Sequence, residues 1–197
     1  MTAPELFYDL GSPYAYLAVE RAERVLGVAP LLRPVLLGAI FAARGHGSWS
    51  QTPARADGIA EVERRAAAYG LPPVRWPPGW PPNTLQAMRA AVWADQRGHG
   101  EPFARAAFRR AFADGADLAD VAVLADVAAS VGLPADELEA AIADPAVKDD
   151  LRARTEAALA LGVRGVPTLR LDARLHYGDD RLEAAAYSFT LVDHANG

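Results

Sequence analysis

The sequence predicts an α/β protein in which a strand–helix–strand unit and a strand–strand–helix unit flank an all-helical insertion. Three observations carry that prediction. Apolar runs of strand length, Glu5–Leu10 and Pro30–Leu37, bracket a stretch with helical anchors at Leu17, Val25 and Leu26. The middle of the chain breaks into alanine-rich segments closed by glycines at Gly70, Gly98, Gly132 and Gly162. Strand character returns at Val166–Leu171 and Ala173–Tyr177.

In chain order, the first strand ends at Gly11, and Ser12-Pro13 supplies an N-cap residue followed by a proline at the first helical position. The helix from Tyr14 to Leu26 closes at Gly27, and the crossover to Pro30–Leu37 makes the two strands parallel. Helices follow from Thr52-Pro53 to Tyr69, from Asn83-Thr84 to Gly98, and over Glu101–Ala113, where Phe108 and Phe112 lie one turn apart. Asp120–Val131 and Pro134–Ala143 are two more, and Asp144-Pro145 opens a long one that ends at Gly162. A turn at Asp172 pairs the last two strands, and Gly178-Asp179-Asp180-Arg181 leads into a final helix from Leu182 to about Leu191.

Composition narrows the function. The chain has 197 residues, 51% hydrophobic and 23% charged, which suits a folded globular protein. Its net charge of −5 argues against nucleic acid or an anionic membrane as the main partner, because both need a basic footprint. No apolar run approaches a membrane span, and no basic-then-apolar leader is visible, so a cytoplasmic location is expected. Cysteine is absent, which excludes disulfides, thiolate metal sites and a cysteine nucleophile. Any thiol chemistry must use a sulfur brought in by a ligand.

Three segments can carry chemistry. Gly11-Ser12-Pro13-Tyr14 puts a hydroxyl at a helix N-terminus, where backbone N–H groups and the dipole favour an anion; Ser12 also reads simply as a cap. Gly165-Val166-Pro167-Thr168 places a proline early in a strand, where it cannot donate to the sheet and often adopts a special, sometimes cis, backbone state; alone it also suits an edge strand. With the order of elements, it matches a thioredoxin-like fold. Gly178-Asp179-Asp180-Arg181 sets carboxylates beside a guanidinium, either as a ligand site or as helix caps with a surface ion pair.

The run Phe7-Tyr8-Asp9-Leu10-Gly11-Ser12-Pro13-Tyr14-Ala15-Tyr16-Leu17-Ala18, with Gly165–Thr168 and Gly178–Glu183, resembles the 2-hydroxychromene-2-carboxylate isomerase and kappa-class glutathione transferase group. That group belongs to the DsbA-like branch of the thioredoxin superfamily. Asn83–Ala91 and Pro145–Lys148 are similar to it as well, so the resemblance spans nearly the whole chain. It implies that Ser12-Pro13-Tyr14-Ala15 stands where disulfide oxidoreductases carry Cys-x-x-Cys, with Ser12 donating to the sulfur of glutathione or another low-molecular-weight thiol. A hydroxyl and a helix N-terminus lower a bound thiol's pKa, as they do for protein cysteines. The backbone of Val166, before a cis Pro167, would pair with the cysteinyl part, and Asp180 with Asp179 and Arg181 would hold the γ-glutamyl end.

The activity implied is isomerisation of a conjugated aromatic acid by reversible thiolate addition, with transferase or peroxidase chemistry, or a non-catalytic binding module, as alternatives. The expected assembly is a homodimer. The chain departs from its relatives at His46, Arg55 and Tyr177, where they often carry Asn, Lys and Trp; His46 and Arg55 are still expected in the thiol pocket.

Tyr14, Trp49, Trp76 and Trp80, the last two within a proline cluster, suit a flat conjugated substrate, or else pin an irregular loop to the helices. Trp93 reads as core. The spacing of His46, His99, His176 and His194 suggests no metal site. The thioredoxin-like domain is expected over 1–45 and 155–197, with the helical insertion over 46–154 and the site between them.

Overall fold

Four strands form one mixed sheet, in the order β2-β1-β3-β4, in the computed structural model. It describes residues 3–187. Strand β1 (Glu5–Tyr8) lies parallel to β2 (Leu31–Pro34), with Leu6 opposite Leu32. Helix α1 (Pro13–Leu26) makes the crossover between them. On its other side β1 pairs antiparallel with β3 (Thr168–Leu171), which pairs with β4 (Arg174–Tyr177). Asp172 makes the tight turn with φ +50°, in the left-handed region that aspartate tolerates better than most residues.

The second strand is shorter than predicted. The run Pro30–Leu37 was expected to be extended throughout, but it leaves the sheet after Pro34, and Leu37 opens a helix, α2 (Leu37–Arg44). The cause lies outside the run. The Leu36 amide donates to Thr155 Oγ1 at 3.0 Å and the Leu37 amide to Asp9 Oδ2 at 2.8 Å, so distant side chains satisfy the groups that a ladder would otherwise pair.

The helical middle follows the predicted order with trimmed ends. A 3₁₀ turn at Trp49–Gln51 and a local turn through Thr52 delay α3 to Arg55–Ala68. Helices α4 (Leu85–Gln96), α5 (Gly100–Phe112), α6 (Val121–Ser130), α7 (Leu138–Ala143) and α8 (Pro145–Ala160) come next. Asp120 and Asp144 cap α6 and α8 by accepting from the amides of Ala122 and Ala146. Residues 182–187 are helical; the remainder of the predicted final helix, and His194, lie outside the described residues.

Helices α1 and α5 pack together through aromatic rings. Tyr16 stacks on Phe112 with centroids 5.5 Å apart, and Tyr8 of β1 meets Phe108 at 5.7 Å. Fully burying a side chain of this size stabilises the fold by about 1.5–3 kcal/mol. Trp93 is buried on α4, as expected for a core residue. This packing fixes α1 against the sheet, and so fixes where its N-terminus points.

Candidate active site

Ser12 occupies the N-cap of α1. Its backbone is extended (φ −91°, ψ 113°), and its Oγ accepts from the Ala15 amide at 3.2 Å. A hydroxyl can donate while it accepts, so the cap leaves the O–H free to donate. The side chain is only 5% exposed. It borders a cavity of about 580 Å³ whose lining also includes Val166, Trp49, Trp80, His46 and Tyr177. The Val166–Pro167 peptide is cis, as expected from the sequence. Among the described residues neither backbone group of Val166 takes part in a hydrogen bond, while the Pro167 carbonyl accepts from the Gly178 amide at 2.9 Å.

Asp9 shapes the floor of this cavity. Its carboxylate is 2% exposed and faces neutral donors: the Gly11 amide at 2.9 Å, the Leu37 amide at 2.8 Å and the Thr84 hydroxyl at 3.2 Å. One side chain thereby ties the loop before Ser12 to the starts of α2 and α4. Burial raises its pKa from the ordinary carboxylate value, against the lowering effect of the three hydrogen bonds. Gly11 is required beside it, since a Cβ there would lie 2.5 Å from Thr84 Cγ2.

A smaller cavity of about 280 Å³ adjoins the first, with Val166 and Tyr177 common to both. Tyr14, Arg65, Asp179, Asp180 and Arg181 also line it. Asp179 is 1% exposed; Arg65 Nη1 donates to one of its oxygens at 2.8 Å and the Tyr69 hydroxyl to the other at 3.0 Å. Burial raises its pKa, with the Arg65 charge acting in the opposite direction. Both oxygens therefore serve the fold. Arg21, buried under the Tyr69 ring at 3.3 Å, pairs with Glu183 and holds this corner to α1. Asp180 is different, with a side chain 48% exposed. Gly178 sets it in place at φ +108°, where any Cβ would meet Asp180 Oδ1 at 2.5 Å.

The aromatic residues divide. Trp49 and Trp80 line the larger cavity with ring centroids 5.3 Å apart, and Tyr14 meets Trp49 edge-on at 6.0 Å. The Trp80 indole donates to the Gly11 carbonyl at 3.2 Å, and the Trp80–Pro81 bond is a second cis peptide, which the sequence did not signal. Trp76 stands behind Trp80 at 4.6 Å, bonded through its indole to Glu63, and is not among the lining residues. Arg55 also stands at Trp80, with its guanidinium 5.3 Å from the ring centroid, and neither cavity has it in its wall. His46 is exposed at the rim of the larger cavity.

Sequence reasoning missed Asp9, Thr84 and Arg65 as site residues. Asp9 stood inside the quoted motif, and its lone carboxylate at the end of an apolar strand was the available signal. Arg65 pairs locally with Glu61 one turn earlier, which reads as an ordinary helix-surface ion pair, and nothing local signals its second partner, Asp179, 114 positions away. Among the described residues no group of three or more histidines or carboxylates could hold a metal ion. The site thus offers a free hydroxyl at a helix N-terminus, an unpaired backbone segment, a mixed-charge cavity and an aromatic one.

The model of the DSBA-like thioredoxin domain family matches residues 5–190. The 2-hydroxychromene-2-carboxylate isomerase of Sphingobium xenophagum is 30% identical over 185 residues, spanning 91% of this chain and 93% of that protein. Glutathione S-transferase kappa 1 of Homo sapiens is 27% identical over 200 residues, spanning 93% of this chain and 88% of that one. Among solved structures, a 2-hydroxychromene-2-carboxylate isomerase superposes with a TM-score of 0.89 at 20% identity, covering 99% of this chain and 98% of the other. The cytosolic disulfide reductase DsbM of Pseudomonas aeruginosa with GSH gives 0.66 at 17% identity, covering 98% of this chain and all of the other.

Proposed function

Because the chain belongs to the DSBA-like thioredoxin domain family, we propose that it is a thiol-dependent isomerase that uses glutathione, or another low-molecular-weight thiol, on a conjugated aromatic acid. The observation that carries this reading is the Ser12 hydroxyl, whose acceptor side caps α1 while its donor side stays free beside Val166 and the aromatic cavity. A bound thiol supplies a thiolate nucleophile that adds to a conjugated double bond and leaves again once that bond has turned. Ser12 donates to the sulfur, and the N-terminus of α1 favours its negative charge. The unpaired backbone of Val166 takes the cysteinyl part as an added strand would. Asp180 faces the γ-glutamyl ammonium, and Arg181 borders the same end. Trp49 and Trp80 hold the flat ring of the acid, with Trp76 and Arg55 bracing Trp80 and His46 at the rim. Positioning and charge stabilisation are the protein's share of the catalysis.

The kappa-class relative favours a second reading, a transferase that consumes the thiol. Incubation with glutathione and a conjugated aromatic acid separates the two: isomerisation at constant thiol supports the first, and a stable conjugate supports the second. No turnover leaves only a binding module. The cytoplasmic location, the homodimeric state and the division into 1–45 with 155–197 and 46–154 belong to the same proposal. Light scattering tests the assembly, and limited proteolysis tests the division.

A further inference from the structure

Between the sheet and α8 lies another cavity, of about 250 Å³, which shares no lining residue with the two around Ser12 and Asp180. Glu5, in its wall, begins the strand whose far end leads to Ser12. The register sets Arg33 opposite Phe7 and Arg170 opposite Glu5, so Arg33, Glu5 and Arg170 share one face of three neighbouring strands. Arg33 Nε donates to Glu5 Oε1 at 2.8 Å, and Arg170 Nε stands 2.6 Å from Glu5 Oε2. Arg154, the other cation of the wall, is paired separately with Asp150 and Asp95. Glu5 is the single carboxylate among the lining residues, so Arg33 and Arg170 leave a positive charge unbalanced there, in a chain whose net charge is −5. Like charges gathered on one sheet face cost stability. The rest of the wall is apolar: Phe7, Val35 and Ala158 are buried in it, and Leu161, just past α8, is 47% exposed.

We infer that this cavity is a binding site for a small organic carboxylate, with the acid group between Arg33 and Arg170 and the apolar body against Phe7, Val35 and Leu161. Glu5 meets Nε and Nη2 of Arg33 and Nε of Arg170, which leaves each planar fork with N–H donors beyond those it takes. Such forks match a carboxylate, and Glu5 fixes both of them in advance. The apolar remainder selects against an inorganic anion, which would lose its hydration there and gain nothing from Phe7 or Leu161. The volume suits a single ring or a short chain rather than a drug-sized molecule. This site stands apart from the thiol-dependent reading, and neither depends on the other.

The test is titration calorimetry of the full chain with benzoate, and with benzamide as its uncharged counterpart. Benzoate is expected to bind about tenfold tighter than benzamide or better, from charge-assisted bonds of the ordinary size. Arg33→Gln and Arg170→Gln should each weaken benzoate about tenfold and leave benzamide nearly unchanged. Leu161→Glu sets a carboxylate beside the cavity without touching the Glu5 pairs, and should weaken benzoate in the same way if an arginine variant does not fold. Should benzoate also enter the aromatic cavity beside Trp80, the isotherm shows two sites and these variants remove one of them, which supports the inference. Benzoate binding that all three variants leave unchanged lies elsewhere and overturns it. So do equal affinities for benzoate and benzamide, an absence of benzoate binding, or displacement of benzoate by an equal concentration of inorganic phosphate.

Discussion

Replacing Ser12 with alanine separates the two jobs of one hydroxyl. The acceptor job is the cap on α1, a 3.2 Å bond from the Ala15 amide, and its loss costs about 1 kcal/mol of stability. For a chain of this size that is a fall in Tm of roughly 2–4 °C. The donor job is the hydrogen bond to the bound thiolate, worth roughly 1.5–3 kcal/mol because one partner is charged. Losing it slows turnover about tenfold to hundredfold. It also raises the thiol's pKa, so the acidic limb of the rate profile moves up by about one to two pH units. The assay is turnover against pH at saturating glutathione, beside a thermal melt of each protein. A lowered Tm with an unchanged rate and an unmoved limb would reduce Ser12 to a cap and refute the reasoning.

Asp9→Asn offers one acceptor oxygen where the carboxylate served three donors, and should cost about 1–3 kcal/mol in urea unfolding. Burial holds the native Asp9 carboxyl above its ordinary value, so its contribution is complete below the unfolded value near ~3.9 and fades as pH rises through the native one. The stability gap between wild type and Asp9→Asn should therefore shrink with rising pH, and a constant gap would contradict the assignment. Asp180→Asn should raise KM for glutathione and leave kcat nearly unchanged, because its contact is made equally in ground and transition states; a collapse of kcat at saturation would assign Asp180 another role. The purified protein should not reduce insulin above background, since it has no cysteine with which to form a mixed disulfide.

The elements that sequence displayed are those with local causes. Ser12-Pro13 starts α1 through its own side chain and ring, and Asp144-Pro145 starts α8 in the same way. Helix α2 was invisible because its first amide is held by Asp9, 28 residues earlier, while its leading residues Val35-Leu36-Leu37 look like strand. The site followed the same division. Ser12, Val166, Pro167 and Asp180 stood in motifs, and the structure gathers them around the two cavities. Trp76 and Arg55 share composition and neighbourhood with the lining residues, and only packing shows that they stand behind Trp80. Arg65 takes its place from a pairing across most of the chain, which no window of sequence contains.

The most direct test of the account follows the thiol and the acid together. Purified protein, glutathione and a conjugated aromatic acid with one isomerisable double bond are mixed, and isomer and free thiol are both measured over many turnovers. The account predicts isomer in large molar excess over any thiol lost, with the rate falling to background when glutathione is withheld. Loss of one thiol per product molecule, or isomerisation at full rate without thiol, would contradict it.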